Sequence, residues 1–136
     1  MRLAADANVL LAAVLGGRAG LVLTHPKIEH VLTTEANLAE VEEYALLLAQ
    51  TKRLRGDLVL LAVASLPITV MEPADYSKSL PEAMRRIGRR DPDDADLLAL
   101  ALHHKIPIWS NGRDFEKLRV ELFTTEDLLR HLGIIK

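Results

Sequence analysis

Residues 91–115 read DPDDADLLALALHHKIPIWSNGRDF, and this stretch sets the architecture expected of the rest. An acidic cluster opens an apolar helix, the helix runs into a short apolar strand, and the strand ends in Ser-Asn-Gly-Arg-Asp. Pro92 suits the first helical position and Asp91 the N-cap before it, with Asp94 inside the first turn. Leu98, Ala101 and Leu102 continue one helical face from Asp94, so this carboxylate points along the buried side and not out to water. Ile106 to Trp109 suits a buried parallel strand that delivers Ser110 to its C-terminal end. Ligands of open α/β sheets bind at that end. The stretch therefore reads as half of an acidic site.

Working outward, the preceding chain repeats the strand–helix pattern. Arg2 to Asp6 is a brief apolar strand ending on an acid, followed by an apolar helix over Val9 to Leu15 that Gly16-Gly17 breaks. Gly20 to Leu23 forms a further turn, stopping near His25-Pro26 because the residue before proline avoids the helical region. Ile28 to Thr33 is a second strand. Residues 36–50 form a helix with Leu38, Val41, Ala45 and Leu48 as its apolar stripe. Asp57 is expected to cap a helix running to Ser65, and Pro67 to Met71 gives a third strand. Ala74 to Ile87 is mostly helical, with a break near Pro81 and an end at Gly88. Beyond the opening stretch, Val120 to Phe123 makes a fifth strand, and Thr124-x-x-Asp127 is a capping signal for a last helix stopping at Gly133. Strands alternating with helices predict an α/β fold: a three-layer α/β/α sandwich around a mostly parallel sheet of five strands.

Composition bounds the chemistry. A chain of 136 residues is one domain, residues 1–136, with room for a real core. Hydrophobic residues at 49% and charged residues at 26% describe a folded, not a disordered, chain. With no cysteine, disulfides, zinc–thiolate sites and thiol nucleophiles are excluded. A first strand beginning at Arg2 and the lack of a long apolar run predict a cytoplasmic protein without a membrane partner. A net charge of -2 gives no global attraction to nucleic acid, so such a partner needs a local basic patch.

Carboxylates recur where the sheet's C-terminal edge is expected: Asp6 after the first strand, Glu40 in the helix after the second, Asp91 and Asp94 before the fourth, and Asp114 after it. Like charges repel by roughly 4 kcal/mol per pair at 4 Å for a near-surface dielectric. Such a cluster persists by protonation, by basic partners or by holding a divalent cation. All-oxygen ligation favours Mg2+ or Mn2+ over zinc, and an ion so held suits phosphodiester hydrolysis.

At these residues the chain resembles the PIN-domain ribonucleases, including the VapC-type toxins of toxin–antitoxin pairs. The resemblance spans nearly the whole chain. It rests on Asp6-Ala-Asn-Val-Leu, on Glu40, on Asp94-Ala-Asp-Leu-Leu-Ala-Leu-Ala, on Trp109-Ser-Asn-Gly-Arg-Asp-Phe, and on the 16-residue step from Asp94 to Ser110. The resemblance implies metal-dependent endoribonuclease activity, with Asp6, Glu40 and Asp94 as core acids and Asn8 and Ser110 as neutral partners that orient water or carboxylates. It further implies an RNA substrate, a small antitoxin that blocks the pocket, and a homodimer. One departure stands out. The family usually carries Asp two residues after the Ser/Thr, where this chain has Gly112; Asp114, or Asp91, is the candidate to replace it.

Each residue also has a plainer reading. Asp6 also serves to cap the following helix, Asp91 is an N-cap before it is a ligand, and Asp114 is placed to cap the turn into Phe115. Glu35, Glu42 and Glu43 compete with Glu40, and periodicity does not choose among them. Arg85, Arg86, Arg89 and Arg90 either hold an RNA backbone, or neutralise Asp91, Asp93 and Asp96, or lie on a solvated helix face; Arg113 is the better single candidate for a phosphate contact. Two other functions compete: a PIN-like binding domain without catalysis, marked by Gly112, and a phosphatase of the haloacid-dehalogenase type. The latter needs Asp-x-Asp after the first strand, and Asn8 occupies the second position.

Overall fold

Side chains alternating along each strand divide the molecule into two cores. In the computed structural model, which describes residues 1–87 and 91–136, β1 (Arg2–Ala5), β2 (His30–Thr34), β3 (Thr69–Met71), β4 (Ile108–Trp109) and β5 (Leu122–Phe123) pair in parallel in the order β3-β2-β1-β4-β5. One face carries α1 (Ala7–Val14), α2 (Ala19–Leu23), α3 (Glu35–Thr51) and α4 (Gly56–Ala64). The other carries α5 (Pro73–Tyr76), α6 (Leu80–Ile87) and α7 (Pro92–His104), and α8 (Thr125–His131) returns to the first. Leu3, Val31 and Trp109 point into the first core with Val9, Val41 and Leu128. Their neighbours Ala4, Leu32 and Ile108 point into the second with Leu97, Phe115 and Leu118. Burial on both faces explains why the strands read as continuous apolar runs.

The strand order fixes where a site can form. From β1 the chain winds to β2 and β3 on one side, then crosses over to β4 and β5 on the other. The winding direction therefore reverses between β1 and β4, opening a crevice at their C-terminal ends. Asp6 and Ser110 are the residues that follow these two strands.

Several boundaries differ from the sequence reading. The first strand stops at Ala5; Asp6 still donates its N–H to the Trp109 carbonyl of β4 at 3.0 Å, but its side chain caps α1. The second, fourth and fifth strands begin two residues later than expected, at His30, Ile108 and Leu122; the third likewise starts at Thr69 after Pro67, which has no N–H to give a ladder. Arg55, not Asp57, holds the N-cap position of α4; Asp57 lies in the first turn and accepts a hydrogen bond from the Leu58 N–H at 3.0 Å. The expected helix over 74–87 divides into α5, a 3-10 turn over Ser77–Ser79, and α6, and Pro81 sits at the start of α6, where its missing N–H costs nothing. On α3 the fully buried stripe is Asn37, Val41, Ala45 and Ala49, with Leu38 and Leu48 at its margins. The Gly88 helix end, and Arg89 and Arg90, lie outside the described residues.

Candidate active site

Asp6 reaches the crevice because it caps α1. Its Oδ1 accepts the Ala7 N–H at 2.8 Å, which turns Oδ2 towards β4. There the Ser110 hydroxyl donates to Oδ2 at 2.8 Å. Asn8 Nδ2 lies 3.3 Å from both Asp6 Oδ2 and Ser110 Oγ, and Asn8 Oδ1 accepts the Asn111 N–H at 3.3 Å. Ser110 Oγ, wholly buried, also accepts the Gly112 N–H at 3.1 Å. Residues more than a hundred positions apart thus share one hydrogen-bonded cluster, in which Asn8 and Ser110 orient the Asp6 carboxylate.

The other acids enter from the two flanking helices. Asp91 caps α7, its Oδ1 accepting the Asp93 N–H at 2.9 Å, and this places Asp94 in the first turn, half-buried. Thr34 caps α3, accepting the Asn37 N–H at 3.0 Å. Among the four competing glutamates on α3 the structure is selective: Glu40 is half-buried, whereas Glu35, Glu42 and Glu43 are exposed. Glu40 lies where two clefts meet. One, of 270 Å³, is lined by Ala7, Asn8, Leu11, Val41 and Tyr44; the other, of 420 Å³, runs along α3 to Asp91 and Asp93.

The acids share an electrostatic field. Burial pushes Asp94 up to about 7, helped by repulsion from Asp6, Asp114, Asp91 and Glu40. Burial also raises Asp6; the Ser110 hydroxyl and the Ala7 N–H oppose that rise, and Asp114 and Asp91 add to it. Glu40 is raised by burial and then by Asp6, Asp93 and Asp91. Among the described residues no lysine or arginine pairs with Asp6, Glu40 or Asp94. Nor do any three acids of the described chain stand close enough to form a ready metal cage. The donor set nonetheless fits a hard divalent cation: it is all oxygen, its core acids have no basic partner among the described residues, and burial together with neighbouring carboxylates disfavours their charged forms when no cation is bound.

The remaining expected residues are placed as follows. Asp114 and Arg113 are exposed on the segment after Ser110, with the Asp114 charge felt at Asp6 and Asp94. Arg85 and Arg86 do not neutralise Asp91, Asp93 or Asp96; both pair with Glu82 on their own helix, Arg86 at 2.9 Å. Residues that the sequence reading passed over tie the rim together. Asn111 Oδ1 accepts the Thr125 N–H at 2.8 Å, Trp109 Nε1 donates to Thr125 Oγ1 at 3.0 Å, and buried Thr33 donates to the Ala5 carbonyl at 2.8 Å. Asn111 carried a signal, since Asn at a strand end favours a side-chain-closed turn; Thr33 and Thr125 carried none, because their partners are remote in sequence.

The family model for the PIN domain matches residues 5–133. The chain belongs to the PIN-domain family. No curated protein matches its sequence. Among solved structures, the PIN-domain chain is similar to PAE2754 from Pyrobaculum aerophilum, with a TM-score of 0.73 at 16% identity over 99% of this chain and 91% of that one. It is similar to a toxin–antitoxin complex from Klebsiella pneumoniae, with a TM-score of 0.64 at 16% identity over 90% and 97% of the two chains. A third likeness is to VapC20 of Mycobacterium tuberculosis, described as a sarcin-ricin loop cleaving toxin, with a TM-score of 0.61 at 20% identity over 87% and 95%. At these identities the likenesses establish the PIN fold, an all-parallel five-stranded α/β sheet.

The Ser110 hydroxyl gives a first prediction. Ser110→Ala removes the donor that favours ionised Asp6 and strands the Gly112 N–H, so Asp6 should titrate higher still. Loss of such a supporting contact typically costs about 10–100-fold in metal affinity or activity. If the ionised Asp6 carboxylate serves a reaction, the acid limb of its rate–pH profile should move to higher pH. An unmoved limb would show that the hydroxyl does nothing for this carboxylate.

Proposed function

We propose that this PIN domain is a Mg2+- or Mn2+-dependent endoribonuclease of the toxin type. The observation that carries the reading is that Asp6, Glu40 and Asp94 border the β1–β4 crevice within one repelling field, with no basic partner for any of them among the described residues. Asp6, Glu40 and Asp94 would hold the ion, with Asp114 and Asp91 completing its surroundings. A bound divalent ion activates water and neutralises charge on a phosphate. Ser110 and Asn8 keep the Asp6 carboxylate oriented, and Arg113, Arg85 and Arg86 supply positive charge against which an RNA backbone is held.

Partners follow the same reading. An antitoxin segment fits the cleft beside Glu40, where it would cover the acids; the Klebsiella neighbour is itself a toxin–antitoxin complex, which supports this. A second copy fits α4. That helix reads as a buried one, GDLVLLAVA, yet only Val63 is buried, while Leu58, Leu60 and Leu61 are exposed beside Leu46 and Leu47 of α3. Exposed apolar surface of that kind marks an interaction face. Among the described residues no helix is long and apolar enough to cross a membrane, and the proposed setting is the cytoplasm.

The test is cleavage of structured and single-stranded RNA, absent in EDTA and restored by Mn2+, with Asp6→Asn as control. Background activity in both proteins under every metal would overturn the nuclease reading. Gly112 favours a second reading, a PIN domain that binds RNA or protein without cutting; retained RNA binding with no cleavage would select it. The dehalogenase-type phosphatase is disfavoured by the site itself, because Asn8 has no acid proton to give and its amide is engaged with Asp6 and Ser110.

A further inference from the structure

We propose that the cleft between α6 and residues 117–119 is a phosphate-backbone subsite for RNA, distinct from the acidic crevice; the identity of its ligand rests on the ribonuclease reading. The cleft has a volume of 350 Å³ and is lined by Glu82, Arg86, Lys117, Leu118 and Arg119, three cations against one carboxylate. Its cations are held in place by the fold. Phe115 and Leu118 are buried in the second core and pin the segment, so that Lys117 and Arg119 between and beyond them stand exposed. Two turn hydrogen bonds, Glu116 N–H to the Arg113 carbonyl and Leu118 N–H to the Phe115 carbonyl, each 3.2 Å, stiffen it. Arg86 is fixed from the other wall, donating to Glu82 at 2.9 Å and to the Leu118 carbonyl at 3.4 Å. Glu82 is already shared by Arg85 and Arg86, and among the described residues Lys117 and Arg119 have no acidic partner. Arg119 moreover has φ 53°, a left-handed conformation that costs a non-glycine residue energy and that the fold maintains here.

The chemistry that fits is a phosphodiester oxyanion, bound by guanidinium forks and an ammonium. RNA is favoured over an acidic protein by connectivity. The same segment starts at Ser110 in the acidic crevice, and α6 packs against α7, the helix that carries Asp94. A strand entering an acidic crevice meets repulsion there, and cations on the adjoining surface offset it.

The test separates this proposal from the nuclease reading by measuring binding in EDTA, where no cutting occurs. A fluorescein-labelled 16-nucleotide single-stranded RNA is titrated with wild type and with Lys117→Gln/Arg119→Asn, asparagine being chosen because it tolerates the left-handed backbone. The double variant should bind about tenfold more weakly at low salt, and the slope of log K against log salt should fall by about 1.4, the value for two lost contacts to a single strand. Lys117→Glu alone should weaken binding further than Lys117→Gln. Inorganic phosphate should compete only at millimolar or higher concentration, distinguishing a backbone site from a site for the free ion. Unchanged affinity and slope in variants with wild-type melting temperatures overturn the subsite, as does a wild type that fails to bind the RNA, or variants that lose an acidic protein partner while keeping RNA. Loss of cleavage in wild type with the binding differences intact overturns the nuclease reading and leaves this one standing.

Discussion

Asp94→Asn should lower the proposed metal-dependent RNA cleavage by about 10²–10³-fold or more, the scale for removing one charge-stabilising group from a catalytic site, while making the metal-free protein more stable at neutral pH. Both effects have one cause. Burial and four neighbouring carboxylates push Asp94 up to about 7, against an ordinary value of 3.8. A carboxyl with a raised folded pKa binds its proton more tightly in the folded state. Its stabilising contribution is therefore complete below about pH 4 and is lost as pH rises through 7. Asp6, Glu40, Asp93 and Asp96 are raised as well and act in the same direction. In EDTA the wild-type melting temperature should fall between pH 4 and 7 more steeply than that of Asp94→Asn, and the two should converge in acid. Mn2+ should reverse the order at neutral pH: the wild type gains about 2.7 kcal/mol at a hundred times its dissociation constant, and the variant gains much less. Parallel melting curves across the pH range, with equal responses to Mn2+, would remove Asp94 from the site.

Gly112→Asp should do the opposite, tightening Mn2+ binding by about 10–100-fold, the range seen for a supporting metal-site group, and raising cleavage at limiting metal. A Cβ at residue 112 would meet Asn8 Nδ2 at 3.4 Å and Ser110 Oγ at 3.5 Å, ordinary contacts that require no displacement. The new carboxylate would thus enter beside the two side chains that orient Asp6. In EDTA the same change should destabilise the fold at neutral pH, since it adds a like charge to a field already holding Asp94 near 7. Isothermal titration with Mn2+ and melting in EDTA read the two halves separately. Unaltered metal affinity in a folded Gly112→Asp protein would overturn the placement of the proposed ion in the crevice next to Ser110.

Much of this was legible along the chain. Asp94 announced itself by sharing a helical face with Leu98 and Ala101, both buried in the structure. Asp6 announced itself by ending an apolar strand. Other features escaped because they depend on what lies opposite in space. Arg85 and Arg86 stand next to an acidic run in sequence, yet a partner one helical turn away on α6, Glu82, captures them. Four glutamates of α3 look alike until the neighbouring helices show which is half-buried. Lys117 and Arg119 carry no signal in the sequence, because the core that buries Phe115 and Leu118 and so holds their segment beside α6 is built from residues remote in the chain.

The sequence by itself determined the elements, their alternation and the acids at their ends, because hydrophobic period and capping chemistry act within a few residues. Only the tertiary structure decided that β4 pairs with β1, and so that Ser110 donates to Asp6 across 104 positions. Periodicity reports which face of a strand is buried but not which strand lies beside it. That choice is made by the crossover of the chain and the packing of two cores, and the acidic crevice exists only where it is made.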